Sequence, residues 1–466
     1  MKIQNYTITF VVIILLLSGY VSGQNIKLTA WDSLRLKKIP ELKMAPSFKN
    51  TCNALPAVVD NSTQPYWRGI FWQGGCSCGQ ASSEGYVYTY EINRKRNYNA
   101  SLDSNRYAYS FTYNFLNIGN SVCGANFLES MDIIREAGIP SVTVNNGVMT
   151  DGAMTKWLTG YDKYAKIMQN RINSVYAIRV GTAEGLDVLK HWINDHLENS
   201  DVGGLAFFYA NHIDYPEVIP AGLPEAGKHI IRNFSNTSHS MTIVGYNDSV
   251  RVDFNNDGLY TNNIDITGDG IVDMRDWEIG AIKIANSYSG SISGGPINWA
   301  DAGFCYVMYR ALAFHNNQGG FWDKTAYVCD VKTNYSPLLT AKVNMTYDSR
   351  DKIKIMAGVS TNMASSYPEH IEEFPIFRYQ GSNLYMQGGS TNDQKNIEFG
   401  LDLSELLNFV EPGVQAKYFL IIDESDPSSI GTGTINNFSI IDYTNGTNEY
   451  ACSQTNVQII NNSSTI

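Results

Sequence analysis

Residues 72–82 read WQGGCSCGQAS, which sets Cys76 and Cys78 one residue apart among glycines. Three chemistries use cysteines in this way: a metal site, a redox pair, or a nucleophile beside a structural neighbour. Zinc ligands come as C-x₂₋₄-C or H-x₃₋₅-H units, with at least three protein ligands. Here the spacing is C-x-C, and no compact Cys/His pair answers it elsewhere. A redox pair uses C-x-x-C near a βαβ pattern, which is also missing. A nucleophile needs a base, and the base needs an orienting group.

The element that follows Cys78 fits the third chemistry. Ala81, Gly85, Tyr88 and Ile92 fall at the i, i+4, i+7, i+11 spacing of a helix face. A helix beginning near Cys78 places the thiol at the positive end of the macrodipole, which favours thiolate. An ordinary buried helix with a small residue at its start explains the same residues equally well. The rest of the chain decides between them. His239 lies in SHSMTIVGYND (238–248), where MTIVGY reads as a short buried strand ending in a turn. Asn286 lies in IKIANSYSG (282–290), at the end of another apolar strand. Polar residues on strands beside apolar runs are candidates to face one cleft. His191 and His196, in LKHWINDHLENS, belong to an amphipathic helix and read as surface or satisfied structural residues. His212, His229, His315 and His370 have no comparable context.

Composition sets the frame. At 466 residues the chain has room for two or more domains. Hydrophobic residues make up 43% and charged residues 17%, a globular balance. The net charge of −11 argues against nucleic acid, whose affinity comes largely from Lys and Arg on phosphate. Lys2, the apolar run 10–21, and small residues ending at Gly23 read as a signal peptide over 1–23, cleaved before Gln24. A retained anchor is the alternative, although the run is short of a bilayer span. The expectation is a secreted or cell-surface protein with no integral membrane segment after cleavage. It has seven cysteines, an odd number, so at least one thiol is unpaired or pairs with another molecule.

Six blocks in order resemble the papain-like cysteine peptidases. They are LPAVVD (55–60), QGGCSCGQAS (73–82), YSFTYNFLN (109–117), CGANFLESMDIIREAGI (123–139), SHSMTIVGY (238–246), and IANSYSG (284–290) with NWADAGFCYVMYR (298–310). The resemblance implies Cys78 as nucleophile, His239 as general base and Asn286 as the residue that orients its ring. It implies Gln73 as an oxyanion donor beside the N–H of Cys78, a Cys76–Cys123 bridge, and Trp299 shielding the Asn–His pair. It also implies an α+β two-lobed catalytic domain, one helical lobe and one β-barrel-like lobe, acting on protein or peptide substrates. Several residues depart from the family. Gln73 to Cys78 is one residue shorter than its spacing, Gly79 stands where Trp follows the nucleophile, and Tyr288 replaces the Trp after Asn-Ser. His239 lies further from Cys78 than the roughly 130–150 residues of the family. Cys76 as nucleophile, with Cys78 bridged, stays open. Only residues 24–50 separate leader and catalytic domain, too few for a helical inhibitory domain to fold alone, so latency is expected from elsewhere.

Between His239 and Asn286 an insertion at 253–278 contains DITGDGIVDMRD (265–276). Counted from Asp265, oxygens fall at the EF-hand positions: Asp265, Thr267, Asp269, the Ile271 carbonyl, Asp273 and Asp276, with Gly270 at the sharp turn. Asp in place of Glu at the last position looks like a dockerin-type loop. A partial copy has Asp253, Asn255 and Asp257, but Ile264 falls at its last position, where the adjacent Asp265 serves both. Structural Ca2+ is expected, and no organic cofactor. A solvated acidic turn is the bland reading.

From about Ala326 the pattern becomes period two. AKVNMTY (341–347), KIKIMAGV (352–359), KYFLIIDE (417–424) and TINNFSIIDY (434–443) read as strands between turn residues. The domains expected are a peptidase domain over 51–316 and an all-β sandwich or jelly roll over 326–466, with Cys329 and Cys452 bridged across it. The second domain stabilises the first or attaches it to a cell surface or matrix. The function expected is calcium-stabilised peptide hydrolysis. The alternative is an inactive papain-like fold serving as a calcium-dependent adhesion protein; acyl transfer to an amine uses the same residues as hydrolysis.

Overall fold

The computed structural model describes residues 30–118, 124–147, 155–211, 216–234, 238–287 and 299–466. The expected leader, Cys123, His212 and Tyr288 lie outside them. Helices and sheets are mixed, as expected. Among the described residues no helix is long and apolar enough to cross a membrane.

The first unit is built on one large sheet. Its strands are β1 (Val58–Asp60), β2 (Arg171–Arg179), β3 (Ala206–Asn211), β4 (Glu217–Val218), β5 (His229–Ile231), β6 (Ser238–Arg251), β7 (Ile279–Ala285), β8 (Phe304–Met308) and β9 (Phe321–Lys332). They lie in the order β2-β9-β3-β6-β7-β8-β5-β4, with β1 also on β6. Strand alternation divides the apolar residues between two faces. Leu205, Phe207 and Tyr209 join one core, with Tyr88, Tyr90 and Phe127 from helices. Ala206, Phe208 and Ala210 join the opposite core, with Leu186, Leu189 and Trp192.

A central helix runs over residues 78–96. It opens as α-helix at Cys78–Gln80, passes through a π-helical segment at Ala81–Tyr88, and closes as α-helix at Thr89–Arg96. The predicted single apolar face is not what forms. Every residue from Ala81 to Tyr88 is buried, because the helix is enclosed on all sides.

The described part of the N-terminal segment is built into this unit. Leu36 enters the core beside Tyr88, and Phe48 meets His191 edge-on at 5.3 Å. The chain pairs with β2 through Leu42 N–H to Ala177 O at 2.8 Å. His191 and His196 are buried; Asp195 lies 2.9 Å from Nδ1 of the first and Glu91 3.1 Å from Nε2 of the second.

The C-terminal unit has β10 (Leu339–Tyr347), β11 (Ile353–Ser360), β12 (His370–Arg378), β13 (Asn396–Asp402), β14 (Lys417–Glu424), β15 (Gly433–Asp442), β16 (Asn448–Ala451), β17 (Val457–Gln458) and β18 (Ser464–Thr465). Two antiparallel sheets result, β13-β10-β15-β16 with β17 on β15, and β12-β11-β14-β18. The turn between β10 and β11 carries the chain from one sheet to the other.

Two sequence expectations fail here. The boundary at 326 falls inside β9, which pairs with β2 and β3 in the first sheet. Period-two patterning marks a strand without telling which sheet it joins. The Cys329–Cys452 bridge is also absent. Both are free thiols, Cys329 buried in the first sheet and Cys452 exposed beyond β16.

The units do not merely touch. Phe111, Phe115, Trp157, Tyr164 and Ile167 of the first unit share one apolar core with residues of both C-terminal sheets. Trp157 meets Phe377 edge-on at 5.4 Å between ring centres, and the guanidinium of Arg350 covers its ring at 4.2 Å. A buried ion pair joins Arg171 to Asp402 at 2.5 Å.

Candidate active site

Three elements meet at Cys78. The central helix presents it at its first residue, β6 carries His239, and β7 ends one residue before Asn286. Thr242 pairs with Ala285, so the start of β6 runs on alongside Asn286. His239 Nε2 is 2.8 Å from Asn286 Oδ1. That oxygen also accepts the Ser287 N–H at 2.8 Å, and the Asn286 carbonyl accepts the Tyr86 hydroxyl at 3.1 Å. Asn286 is therefore held at both ends. The Asn286 bond is made through Nε2, which fixes the orientation of the ring.

Cys78 is buried, with the backbone N–H groups of Ser240, Gly79 and Cys78 itself facing its thiol. Ser240 is the next residue after His239, so the thiol lies against the strand that carries the base. Burial pushes the Cys78 thiol above its ordinary value, and these N–H groups oppose the shift. Burial also pushes His239 down, against its bond to Asn286. The helix start was expected to favour thiolate. The shift instead runs upward, with burial as its largest cause, because the helix is enclosed on every side.

Gln73 is placed by the Asn strand. Its N–H donates to Ser287 O at 2.7 Å, and its side-chain Oε1 accepts from Ser287 Oγ at 2.7 Å. One amide hydrogen goes to Gly75 O at 3.1 Å, and a second is carried by the same nitrogen. The short loop closes by a tight turn. Gly75 has φ +52°, Ser77 Oγ donates to Gly74 O at 2.6 Å, and Gly74 N–H reaches Tyr109 Oη at 3.2 Å.

Trp299 is buried, and Gly303 links it to the site: its N–H donates to Trp299 O at 2.8 Å while its carbonyl accepts from Asn286 N at 2.9 Å. The proposed partner of Cys76 lies outside the described residues. Ser287, Ser240, Tyr209 and Ser82 also belong to the site and were not singled out from sequence. Ser287 was visible inside the Asn-Ser motif. Tyr209 carries no signal, since only strand register brings it there.

The acidic insertion folds as two similar turns. Asp265 accepts N–H bonds from Gly268 at 2.7 Å and Gly270 at 2.8 Å, which draw its carboxyl below the usual range, Gly270 most. Asp276 closes this turn, accepting from Ile266, Thr267 and Asp273 N–H. In the partial copy Asp253 accepts from Gly258 N–H at 2.9 Å, Asn255 from Asp257 N–H at 3.1 Å, and Asp257 from Leu259 N–H at 2.7 Å. The closing carboxylate there is Glu278, accepting from Phe254 N–H at 2.8 Å and Thr261 N–H at 3.0 Å. Asp265 does not fill that place; its oxygens serve its own turn. Counting by a fixed loop length missed Glu278, because the chain returns to the first turn only after the second.

The donors are oxygens of the kind calcium prefers, and Asp253 Oδ1 is buried without a hydrogen-bond partner. Arg275 bridges Asp269 and Asp273, each at 2.6 Å, so its charge already faces two of the expected ligands. Among the described residues no group of three or more His, Cys, Asp or Glu side chains converges as a metal site.

No protein-family description matches this sequence, and neither does any curated protein. Solved structures do match. The chain is similar to xylellain, a cysteine protease from Xylella fastidiosa, at 16% identity and TM-score 0.41, over 66% of this chain and 96% of that one. It is similar to proCathepsin B S9 from Trypanosoma congolense at 12% identity and TM-score 0.38, over 64% and 85%. It is similar to digestive procathepsin L2 proteinase from Tenebrio molitor larval midgut at 15% identity and TM-score 0.38, over 63% and 74%. These likenesses are remote, and the functional case rests on the groups gathered around Cys78.

Proposed function

We propose that this chain is a secreted papain-like cysteine endopeptidase, with a two-lobed catalytic unit and a C-terminal β-sandwich. The observation that carries the reading is the His239–Asn286 bond at 2.8 Å beside a buried thiol that faces the next residue of the His strand. In the first step the Cys78 proton passes to His239 and the sulfur attacks the scissile carbonyl carbon. The carbonyl oxygen becomes an oxyanion, received by the Cys78 N–H and the Gln73 amide. Such donors contribute about 2.7–4 kcal/mol each. His239 then protonates the leaving amine, giving a thioester. Water attacks it, passing a proton back through His239, and the acid product and thiol are released. Asn286 holds the ring tautomer without adding charge.

The test is labelling with a thiol-directed epoxysuccinyl inhibitor. Stoichiometric modification of Cys78, lost in His239→Ala, supports the reading. Modification of Cys76 exchanges the two cysteines, and no modification of folded protein refutes the enzyme.

The pH profile follows from the same burial. Activity needs the Cys78–His239 pair to carry one proton in total. Adding a second proton requires His239 to charge, which burial disfavours, so the acid limb falls below the ordinary imidazole value of about 6.5. Removing the last proton leaves a buried thiolate, so the alkaline limb rises above the ordinary thiol value of about 8.5. The kcat/KM profile is expected to be a broad bell with both limbs displaced outward. An acid limb at or above pH of about 6.5 contradicts this assignment.

We further propose that the insertion holds structural calcium, through Asp265, Thr267, Asp269, Ile271, Asp273 and Asp276, with Asp253, Asn255 and Asp257 in the partial copy. Arg275 must swing off Asp269 and Asp273 for the ion to bind. The insertion lies between His239 and Asn286, so an ion there steadies the strand that presents Asn286. Calcium at one hundred times its Kd is expected to add about 2.7 kcal/mol of stability. Melting in calcium against EDTA reads this, and identical midpoints refute it. The described part of the N-terminal segment pairs with β2 and enters the core, which supports a structural role for it rather than that of a removable inhibitor. The shared core supports stabilisation as the role of the C-terminal unit; attachment to a surface or matrix is the competing proposal.

A further inference from the structure

Cys78 and His239 come from elements far apart in sequence, so their separation depends on what joins the central helix to β6. Ser82, one turn beyond Cys78, meets Ser240, the residue after His239, with Oγ atoms 2.5 Å apart. Ser240 Oγ donates to Phe208 O at 3.1 Å. The Tyr209 side chain faces that of Ser240 across the β3–β6 pairing. Ser82 Oγ lies 2.9 Å from Cys78 O and 3.1 Å from Gly79 O, over the first turn of the helix. With the Ser240 proton on Phe208 O, the single Ser82 proton is shared between the Cys78 carbonyl and Ser240 Oγ, so one hydroxyl ties the helix start to β6. All three side chains are buried.

Tyr209 stands opposite Ser240 in the β3–β6 register, with its ring stacked on Phe127 at 5.3 Å. Its hydroxyl occupies the place where a side chain at position 79 would begin. A Cβ added to Gly79 would lie 2.4 Å from Tyr209 Oη. Gly79 and Tyr209 are thus a matched pair, and one cannot enlarge without displacing the other.

We propose that Ser82, Ser240 and Tyr209 form a hydroxyl clamp that sets the approach of Cys78 to His239, with Gly79 kept small to admit the tyrosine. The inference rests on the peptidase reading and deepens it. These are positioning residues. They act through the helix start and through β6, whose Ser240 N–H faces the thiol.

Tyr209→Phe removes one oxygen and keeps the ring. The measurements are kcat and KM on a peptide amide, and the rate of Cys78 alkylation by iodoacetamide across pH. A roughly tenfold fall in kcat is expected, with KM unchanged and the alkylation profile displaced. Gly79→Ala is expected to lose at least as much alone, and less in the Tyr209→Phe background, where the hydroxyl no longer blocks the methyl. Should either variant melt early, Ser240→Ala serves the same comparison, with the same loss in kcat expected. Wild-type kcat and alkylation profile in Tyr209→Phe overturn the clamp. So do losses from Gly79→Ala and Tyr209→Phe that simply multiply. A wild-type protein that neither hydrolyses peptides nor alkylates at Cys78 overturns the peptidase reading itself. Normal wild-type labelling with an unaffected Tyr209→Phe overturns the clamp alone.

Discussion

Cys78→Ala is expected to lower kcat/KM for unfolded-protein hydrolysis by about 10⁴-fold or more, leaving only what binding and the oxyanion donors supply. His239→Ala should fall to a similar floor, and the double variant little further, because the two act as one unit. The physical reason is the pairing in the fold. His239 Nε2 bonds Asn286 Oδ1 at 2.8 Å, which orients the ring so that Nδ1 takes the thiol proton in the proposed reaction. Without the thiol there is no bond to form with the scissile carbon. Without the imidazole a thiol raised by burial stays protonated. Cys78→Ala removes only the sulfur, so that variant should keep close to the wild-type melting temperature, whereas His239→Ala deletes a buried ring bonded to Asn286 and should melt lower. Full hydrolysis by correctly folded Cys78→Ala would sink the assignment. Hydrolysis lost only with Cys76 would move the nucleophile by two residues.

Ending the chain after Lys332 is expected to abolish cooperative folding of the catalytic unit, although every strand of the large sheet is kept. The cut exposes Phe111, Phe115, Trp157, Tyr164 and Ile167, which are buried against the C-terminal sheets. Full burial of one such side chain is worth about 1.5–3 kcal/mol, against a net stability of about 5–15 kcal/mol for a domain. The same cut strips Arg171 of Asp402, its buried partner at 2.5 Å, and leaving one member of such a pair alone costs about 3–5 kcal/mol. Tyr161 loses its hydroxyl contact with Thr340 at 2.7 Å as well. The truncated chain should be insoluble or melt without a sharp transition by calorimetry. A soluble fragment with a sharp transition and normal Cys78 labelling would show that the C-terminal unit is an appendage.

The residue types of the site were legible without coordinates. A thiol at a helix start, an imidazole on one buried strand and an amide at the end of another are a small set, and His239 and Asn286 do meet. Strand positions in the C-terminal third were legible for the same reason, since alternation over a few residues is a local signal. What the sequence could not carry was partnership. Period two marked Tyr327 and Val328 as strand residues, but only pairing placed them in the first sheet. The turn at Glu278 escaped because its contacts with Phe254 and Thr261 are made across an intervening loop. The upward shift of the Cys78 thiol escaped too. A macrodipole follows from helix direction alone, whereas desolvation depends on everything packed around the thiol. Tyr209 is the limiting case, a tyrosine on an apolar strand with no motif around it. Its place 2.4 Å from where a side chain on Gly79 would begin was set by the β3–β6 register and the depth of the central helix. Local chemistry is written in order along the chain, while burial and register are properties of segments that meet only after folding.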